Sequence, residues 1–316
     1  MANYNGVTYL PQAIASIQHQ TLNAWELIAV DDASTDASLA ILQEAAARDP
    51  RIRVFAQPRN AGPGAARNRA LSEVRGQWVA IFDSDDVMRP ERLERLVAGA
   101  REDDALIVAD NQQICDQDLA PRELYLSTDI LGSRTWIDLA AFVASSHIHS
   151  RVPDLGFLKP LIASSAVTRV GARYDEGLRI GEDFHFLLQL LAAGTQIRVE
   201  PEALYLYRKH DTSISHRQSR DTLLAILAAD RAFLKKGHAL DAKAVSAFRG
   251  REASVRSWLA YDQMLEAVRG RRFVKAVGTV LSRPHAWKLM SAPVASRLRR
   301  LTEAPSRVPL ARERER

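Results

Sequence analysis

The sequence predicts an α/β domain, a mostly parallel sheet with helices on both faces. Three observations point there. Short apolar runs of strand length alternate with amphipathic stretches of helical length. Several of the strand-like runs stop on acid, as at Val30-Asp31-Asp32, Phe82-Asp83 and Ala109-Asp110. No apolar run reaches the ~18 residues of a membrane span. At 316 residues the chain fits one large α/β unit with an appendage, and 47% hydrophobic residues suffice for a core. The single cysteine, Cys115, excludes an internal disulfide and suits a reducing compartment.

In order, Met1 to Gly6 reads as a loop, and Leu10, Ala13, Ile14 and Ile17 keep helical spacing between Tyr9 and Gln20. Trp25 to Val30 is a strand ending at Asp31-Asp32, with a helix following through Leu39, Ile41, Leu42 and Ala46. Ile52 to Phe55 is a short strand. The glycines of Asn60-Ala61-Gly62-Pro63-Gly64 then open a loop onto a helix that carries Arg67 and Asn68. Trp78 to Phe82 is a buried strand running into Asp83-Ser84-Asp85-Asp86, and Pro90 to Glu102 is a helix with Leu93, Leu96 and Val97 inward. Leu106 to Ala109 is a further strand, and a helix is expected near Trp136 to Ala144. Residues 153–160 form a loop whose course the pattern leaves open. Glu182-Asp183 precedes the stripe Phe184, Leu187, Leu188 and Leu191, so the two acids open a helix. Ile197 to Val199 and Leu204 to Tyr207 read as two strands, and from Ser219 onward the chain is helical, through Val245 to Val268 and Phe273 to Leu281.

Charge divides the chain unevenly. Residues 231–316 hold 20 Lys and Arg against 7 Asp and Glu, leaving 23 against 31 in residues 1–230. An acidic body thus carries a basic tail, which suits anionic lipid, nucleic acid, an acidic partner or plain solvent. The acidic strand end at Asp83 to Asp86 also reads two ways. In open α/β sheets ligands bind beyond the carboxyl ends of the strands, and Asp-x-Asp there offers oxygen ligands to a hard divalent ion. A solvated turn leading into the helix at Pro90-Glu91 has the same composition. Likewise Glu182-Asp183 either complements a helix dipole or presents carboxylates to a ligand.

Taken together, Tyr4-Asn5-Gly6, Gln20-Thr21, Asp31-Asp32 with Ser34-Thr35-Asp36, Asn60-Ala61-Gly62 with Ala66-Arg67-Asn68, Asp83-Ser84-Asp85-Asp86, Gly181-Glu182-Asp183, and Tyr207-Arg208 with His210 and Ser213 resemble the ordered motif set of family 2 glycosyltransferases. The resemblance covers about residues 3–215. Leu158-Lys159-Pro160 and Arg179 to Asp183 are similar to the bacterial exopolysaccharide branch that includes succinoglycan-type glucosyltransferases.

The resemblance implies a GT-A fold over residues 1–217; the residue pattern beyond it predicts a helical basic extension over 218–303 and, from its prolines and alternating Arg and Glu, a disordered tail over 304–316. It implies inverting, metal-dependent transfer from a nucleoside diphosphate sugar, UDP-glucose or a similar UDP-hexose, to a saccharide acceptor, a lipid-linked oligosaccharide in exopolysaccharide assembly. The donor base falls to Tyr4 and the Asp31-Asp32 pair, with Asp32 accepting from the uracil imide. Arg67 lies near the donor, either as a cationic partner or as support for the acidic site. Asp83 orients the ribose or sugar, and Asp85 binds Mn²⁺ or Mg²⁺ with His210 completing the shell or meeting the diphosphate. Asp183 is the general base, with Glu182 positioning it or the acceptor. The basic surface around Trp287 to Met290 and Arg297 to Arg300 is expected on the anionic inner face of the cytoplasmic membrane, with the enzyme otherwise cytoplasmic and no nucleic acid bound.

One feature departs from the family, whose members place an apolar strand just before the Tyr-Asn motif, where this sequence has only Met1-Ala2. A native start upstream is the corresponding expectation. Two other function classes remain at this level. A nucleotidyltransferase would carry a Gly-rich basic loop after its first strand, where Asn5-Gly6 stands, and a non-catalytic nucleotide-sugar-binding protein would not need Asp183.

Overall fold

A computed structural model describes residues 1–131, 136–148, 150–210 and 219–270. It divides the chain into two units between Glu252 and Ala253. The described elements of the first sheet and its flanks are β1 (Ala2–Asn3), α1 (Leu10–Gln18), β2 (Leu27–Asp31), α2 (Ser38–Arg48), β3 (Ile52–Ala56) and α3 (Pro63–Ser72). Then follow β4 (Trp78–Ala80), β5 (Val87–Met88), α4 (Arg92–Glu102), β6 (Ile107–Cys115), β7 (Pro121–Leu124), α5 (Thr128–Leu131), β8 (Trp136–Ile137) and α6 (Leu139–Ser145). The series ends with β9 (Leu161–Ala163), α7 (Ser164–Val170), α8 (Glu182–Ala192), β10 (Ile197–Arg208), α9 (Arg220–Lys235) and α10 (Ala242–Arg269). Both α9 and the start of α10 belong to the first unit. Phe233, Ala247 and Phe248 lie in its main core, which explains why residues 218–252 stay with it.

The first sheet has the order β1-β2-β3 and is parallel throughout. All five residues of β2 are buried, which is why its first four, Leu27 to Val30, form an unbroken apolar run rather than an alternating one. The second sheet has the order β4-β9-β6-β10-β5, with β7 on β6 and β8 on β10. There β6 and β10 are parallel, and the remaining pairs are antiparallel. Leu10, Ala13, Ile14 and Ile17 of α1 pack with Leu27, Ala29 and Ile52 of the first sheet, and with Phe82, Met88 and Tyr205 from the second. One core therefore joins the two sheets. A larger core lies between the second sheet and α6, α7 and α8, with the Phe142 and Phe184 rings stacked at 4.8 Å.

Several elements differ from the sequence pattern: the loop read over Met1 to Gly6 holds β1, β4 ends at Ala80 short of Phe82, and β6 runs through Asp110 to Cys115 instead of stopping on that acid. The helix expected from Trp136 starts at Leu139, because the Asp138 carboxylate accepts from Ala141 N at 2.7 Å and caps it there. Trp136 and Ile137 instead pair with β10. The two strands expected between Ile197 and Tyr207 are one strand, with register shifts around Glu200 and Ala203 where Pro201 cannot donate to the ladder. The stretch 153–160 leads into β9, and Pro160 O accepts from Ile81 N at 3.1 Å, tying it to the residue that follows β4 on the way to Asp83.

Among the described residues no helix is long and apolar enough to cross a membrane. Ser213, the helix expected over Phe273 to Leu281, the basic surface from Trp287 to Arg300 and the tail from Ala304 lie outside the described residues.

Candidate active site

The loops after β1, β2 and β3 are stitched together by their own polar side chains. Asp31 is 1% exposed and accepts from Asn3 Nδ2 (3.0 Å), Ser34 N (2.9 Å) and Ser34 Oγ (2.6 Å). Asp32 is 3% exposed and accepts from Gln57 Nε2 (2.9 Å) and from the successive amides of Ala61 and Gly62 (both 2.8 Å). Gly62 sits at φ 96°, so it can turn its N–H inward where a side chain would be strained. In this arrangement the two carboxylates hold the loops in place. Tyr4, on the same loop cluster, is 47% exposed.

That turn launches α3, whose residues Arg67 and Asn68 face the other half of the site. The Asn68 amide pairs with both backbone groups of Tyr174, donating to its O at 3.0 Å and accepting from its N at 2.9 Å. Tyr174 in turn stacks on Phe186 of α8 at 4.3 Å and lies against the Arg67 guanidinium at 5.5 Å. By this route α3 and α8, more than a hundred residues distant in the chain, are held in register.

At their junction two cations meet three acids. Arg67 contacts Asp83 Oδ1 (2.7 Å), Glu182 Oε1 (2.5 Å) and Asp183 Oδ1 (3.3 Å). Lys159 Nζ contacts Asp83 Oδ2 and Asp183 Oδ2, each at 2.8 Å. Asp83 and Asp183 are thus bridged twice, one oxygen of each to each cation, in a closed ring. The 3.3 Å contact is an ion pair without hydrogen-bond geometry, and Asp183 Oδ1 is a buried oxygen with no hydrogen-bond partner.

Burial opposes charge throughout this cluster, and the neighbours decide the outcome. For Asp83, desolvation is outweighed by Lys159 and Arg67, which hold its carboxyl well below the usual range. Lys159 is pushed well above an ordinary lysine because Asp183 and Asp83 overcome its desolvation, and Arg67 rises for the same reason. Glu182 goes the other way. Its burial and the adjacent Asp183 charge raise it, with Arg67 offsetting only part.

Glu182 and Asp183 occupy the first turn of α8 behind Gly181, and no side chain caps that helix. Their carboxylates reach across to Arg67 and Lys159, so dipole complementarity is not their whole role.

Beside the ring, Asp83, Asp85 and Asp86 bring ligand-type oxygens within 4.8 Å of one another. Asp86 accepts from Tyr205 Oη (2.8 Å) and Arg208 N (2.7 Å), and burial followed by the Asp85 and Asp83 charges pushes its carboxyl well up. Asp85 is the most open of the three, 37% exposed at the side chain, and its Oδ2 meets His210 Nε2 at 3.0 Å. Its carbonyl accepts from Arg208 Nε at 2.8 Å, while Arg208 also donates to Gln12 Oε1 and lies over Tyr9. Tyr9 packs on the His210 ring at 4.7 Å.

The structure therefore brings Arg67, Asp83, Glu182 and Asp183 into one cluster and sets Asp85 and His210 alongside it. Tyr4, Asp31 and Asp32 lie in the loops that frame it. Lys159, Tyr174 and Arg208 were given no role from sequence. For Lys159 a signal existed, since a lone lysine within the apolar stretch Phe157 to Ile162 needs a partner for its charge if that stretch is buried.

The site is thus an acidic strand end facing a helix-borne acid pair in a mixed α/β body. The chain matches Glycosyl transferase family 2 over residues 1–158 and belongs to that family. It is 36% identical over 301 residues to the succinoglycan biosynthesis protein ExoO of Rhizobium meliloti (strain 1021), covering 95% of this chain and 85% of that protein. Among solved structures it superposes on S. aureus TarS 1-349 in complex with UDP-GlcNAc at a TM-score of 0.65, with 16% identity over 91% of this chain and 90% of that one. The mannosyltransferase PcManGT of Pyrobaculum calidifontis, in complex with GDP-Man and Mn²⁺, superposes at 0.58 with 16% identity over 94% and 79%.

Proposed function

We infer that this glycosyltransferase moves a hexose, with inversion, from a UDP-sugar such as UDP-glucose to a saccharide acceptor carried on lipid, as a step of bacterial exopolysaccharide assembly. The observation that carries the reading is Asp183. A carboxylate clamped by two cations, with one oxygen lacking a hydrogen-bond donor, is a proton acceptor held in one orientation. The acceptor hydroxyl gives its proton to the Asp183 carboxylate as its oxygen bonds to the anomeric carbon, and the bond to the diphosphate breaks on the opposite face. One carboxylate base suffices, since the diphosphate leaves without a covalent enzyme intermediate.

Asp85 and His210 would hold a divalent ion. A hard carboxylate oxygen with an imidazole, beside two further acids, suits Mn²⁺ or Mg²⁺, which when bound supplies neutralisation of charge on the leaving diphosphate. The similarity to ExoO supports exopolysaccharide as the product class, and the UDP-GlcNAc bound by TarS supports a uridine nucleotide. The excess of Lys and Arg after residue 230 supports contact with an anionic inner membrane face.

Thermal denaturation with UDP and Mn²⁺, singly and together, tests the donor. A joint shift larger than the sum of the separate ones is expected, and a response to GDP in place of UDP overturns the nucleotide assignment. Asp183→Asn should keep the UDP and Mn²⁺ shift and lose sugar transfer. Turnover at the normal rate in that variant removes Asp183 as the base.

A further inference from the structure

Lys159 is one of the two cations that clamp Asp183, and its surroundings constrain it closely. It is 4% exposed. Its flanking residues Leu158 and Pro160 are buried, and Pro160 O accepts from Ile81 N two residues before Asp83. Its own carbonyl accepts from Arg92, whose guanidinium forms a fully buried ion pair with Asp110 at 2.8 Å. The backbone is therefore anchored at Lys159 and Pro160, and the ammonium group is held by its carboxylate partners. From that anchor Nζ reaches Asp83 Oδ2 and Asp183 Oδ2 at equal distances of 2.8 Å.

We propose that Lys159 is a positioning residue for the base. It grips Oδ2 of Asp183, which fixes the plane of the carboxylate, and ties that oxygen to Asp83 on the donor side. A carboxylate at the first turn of a helix has two free side-chain torsions, and Arg67 alone, at 3.3 Å and without hydrogen-bond geometry, does not fix them. Lys159 supplies the missing constraint. Because it touches both acids, it sets the spacing between the group that takes the proton and the group beside the donor, and geometry errors of about 1 Å at such a junction are costly in rate. Arg67 cannot substitute, being shared among three carboxylates.

The proposal rests on Asp183 as the base, and the experiment keeps the two apart. The full chain is assayed for UDP release from UDP-glucose with water as acceptor, and for UDP affinity in the presence of Mn²⁺ by titration calorimetry. The variants are Lys159→Met, which keeps most of the stem, Lys159→Ala and Asp183→Asn, each checked by its melting curve. Expected for both Lys159 variants are UDP affinity and KM within about three-fold of the parent and kcat lower by at least about ten-fold. Methylamine should restore kcat saturably in Lys159→Ala, where space for it exists, and not in Asp183→Asn. Normal kcat in folded Lys159→Met with an inactive Asp183→Asn overturns the positioning role and leaves the base reading standing. A loss in UDP affinity as large as the loss in kcat/KM makes Lys159 a donor contact and also overturns it. An active Asp183→Asn removes the base and this proposal with it. If Lys159→Met does not fold, absence of any amine rescue in folded Lys159→Ala decides against the proposal.

Discussion

Replacing Arg67 by methionine tests whether the ring is the structural keystone of the site. The guanidinium is 12% exposed and pairs with Asp83, Glu182 and Asp183. Its loss leaves three carboxylates facing Lys159 alone. Removing one partner of a buried ion pair costs about 3–5 kcal/mol, because the stranded charge stays desolvated. For a unit of this size each kcal/mol lowers the melting temperature by about 2–4 °C, so the expected drop is about 6–20 °C. The pH dependence has a definite direction. Glu182 is already raised by burial and by Asp183, and without Arg67 it rises further. Its folded form then takes up a proton before the unfolded form does, so the deficit is full above the folded pKa and narrows as the pH falls through it. Adding Glu182→Gln should recover about 0.5–3 kcal/mol by removing one stranded charge. Urea denaturation across pH reads all of this. An Arg67→Met protein within about 1 kcal/mol of the parent, or a Glu182→Gln change that deepens the loss, refutes the ring as a coupled unit.

Three further outcomes follow from particular contacts. Asp85→Ala should abolish the extra stabilisation that Mn²⁺ adds to UDP, which at ~100 times the dissociation constant is about 2.7 kcal/mol in the parent; an unchanged Mn²⁺ effect in melting curves would exclude Asp85 as a ligand. Asp230, buried between His185 (3.0 Å) and Arg251 (2.8 Å), is lowered by those partners against its own desolvation. Its contribution is therefore complete above the ordinary carboxylate range and lost as the pH falls through its depressed value, and Asp230→Asn should be less stable at neutral pH with a flatter acid limb in a pH series of melts. Gly62→Ala, at φ 96° with the new Cβ at 3.2 Å from Arg179 Nη1, should lose at least about 1 kcal/mol in denaturant titration and weaken UDP binding through the Asp32 turn.

Much of the architecture was readable along the chain. β2 is recognisable because a strand buried on both faces reads as an apolar run, here Leu27 to Val30, and α8 because Phe184, Leu187, Leu188 and Leu191 repeat at helical spacing. The short β5 and β8 were not readable, since two-residue strands carry no period and exist only because β10 offers them an edge. The acidic clusters were also legible as clusters, at Asp31-Asp32, Asp83 to Asp86 and Glu182-Asp183. Their division of labour was not. Local spacing cannot say that Asp32 holds the Ala61 and Gly62 amides, whereas Asp85 keeps a more exposed carboxylate beside His210.

Residue pattern thus suffices for the alternation of strands and helices, the acid at the strand ends and the acid pair that opens α8, because each depends on neighbours a few positions away. The pairing of those acids with Arg67 and Lys159 was decided by tertiary structure. Arg67 lies 115 residues from Glu182, and Lys159 lies 24 from Asp183 across a stretch with no readable period. Which charge meets which is set by the packing of α3 against α8 and by the hydrogen bonds that Lys159 O and Pro160 O accept from Arg92 and Ile81 N, because a buried charge must find its partner within the protein.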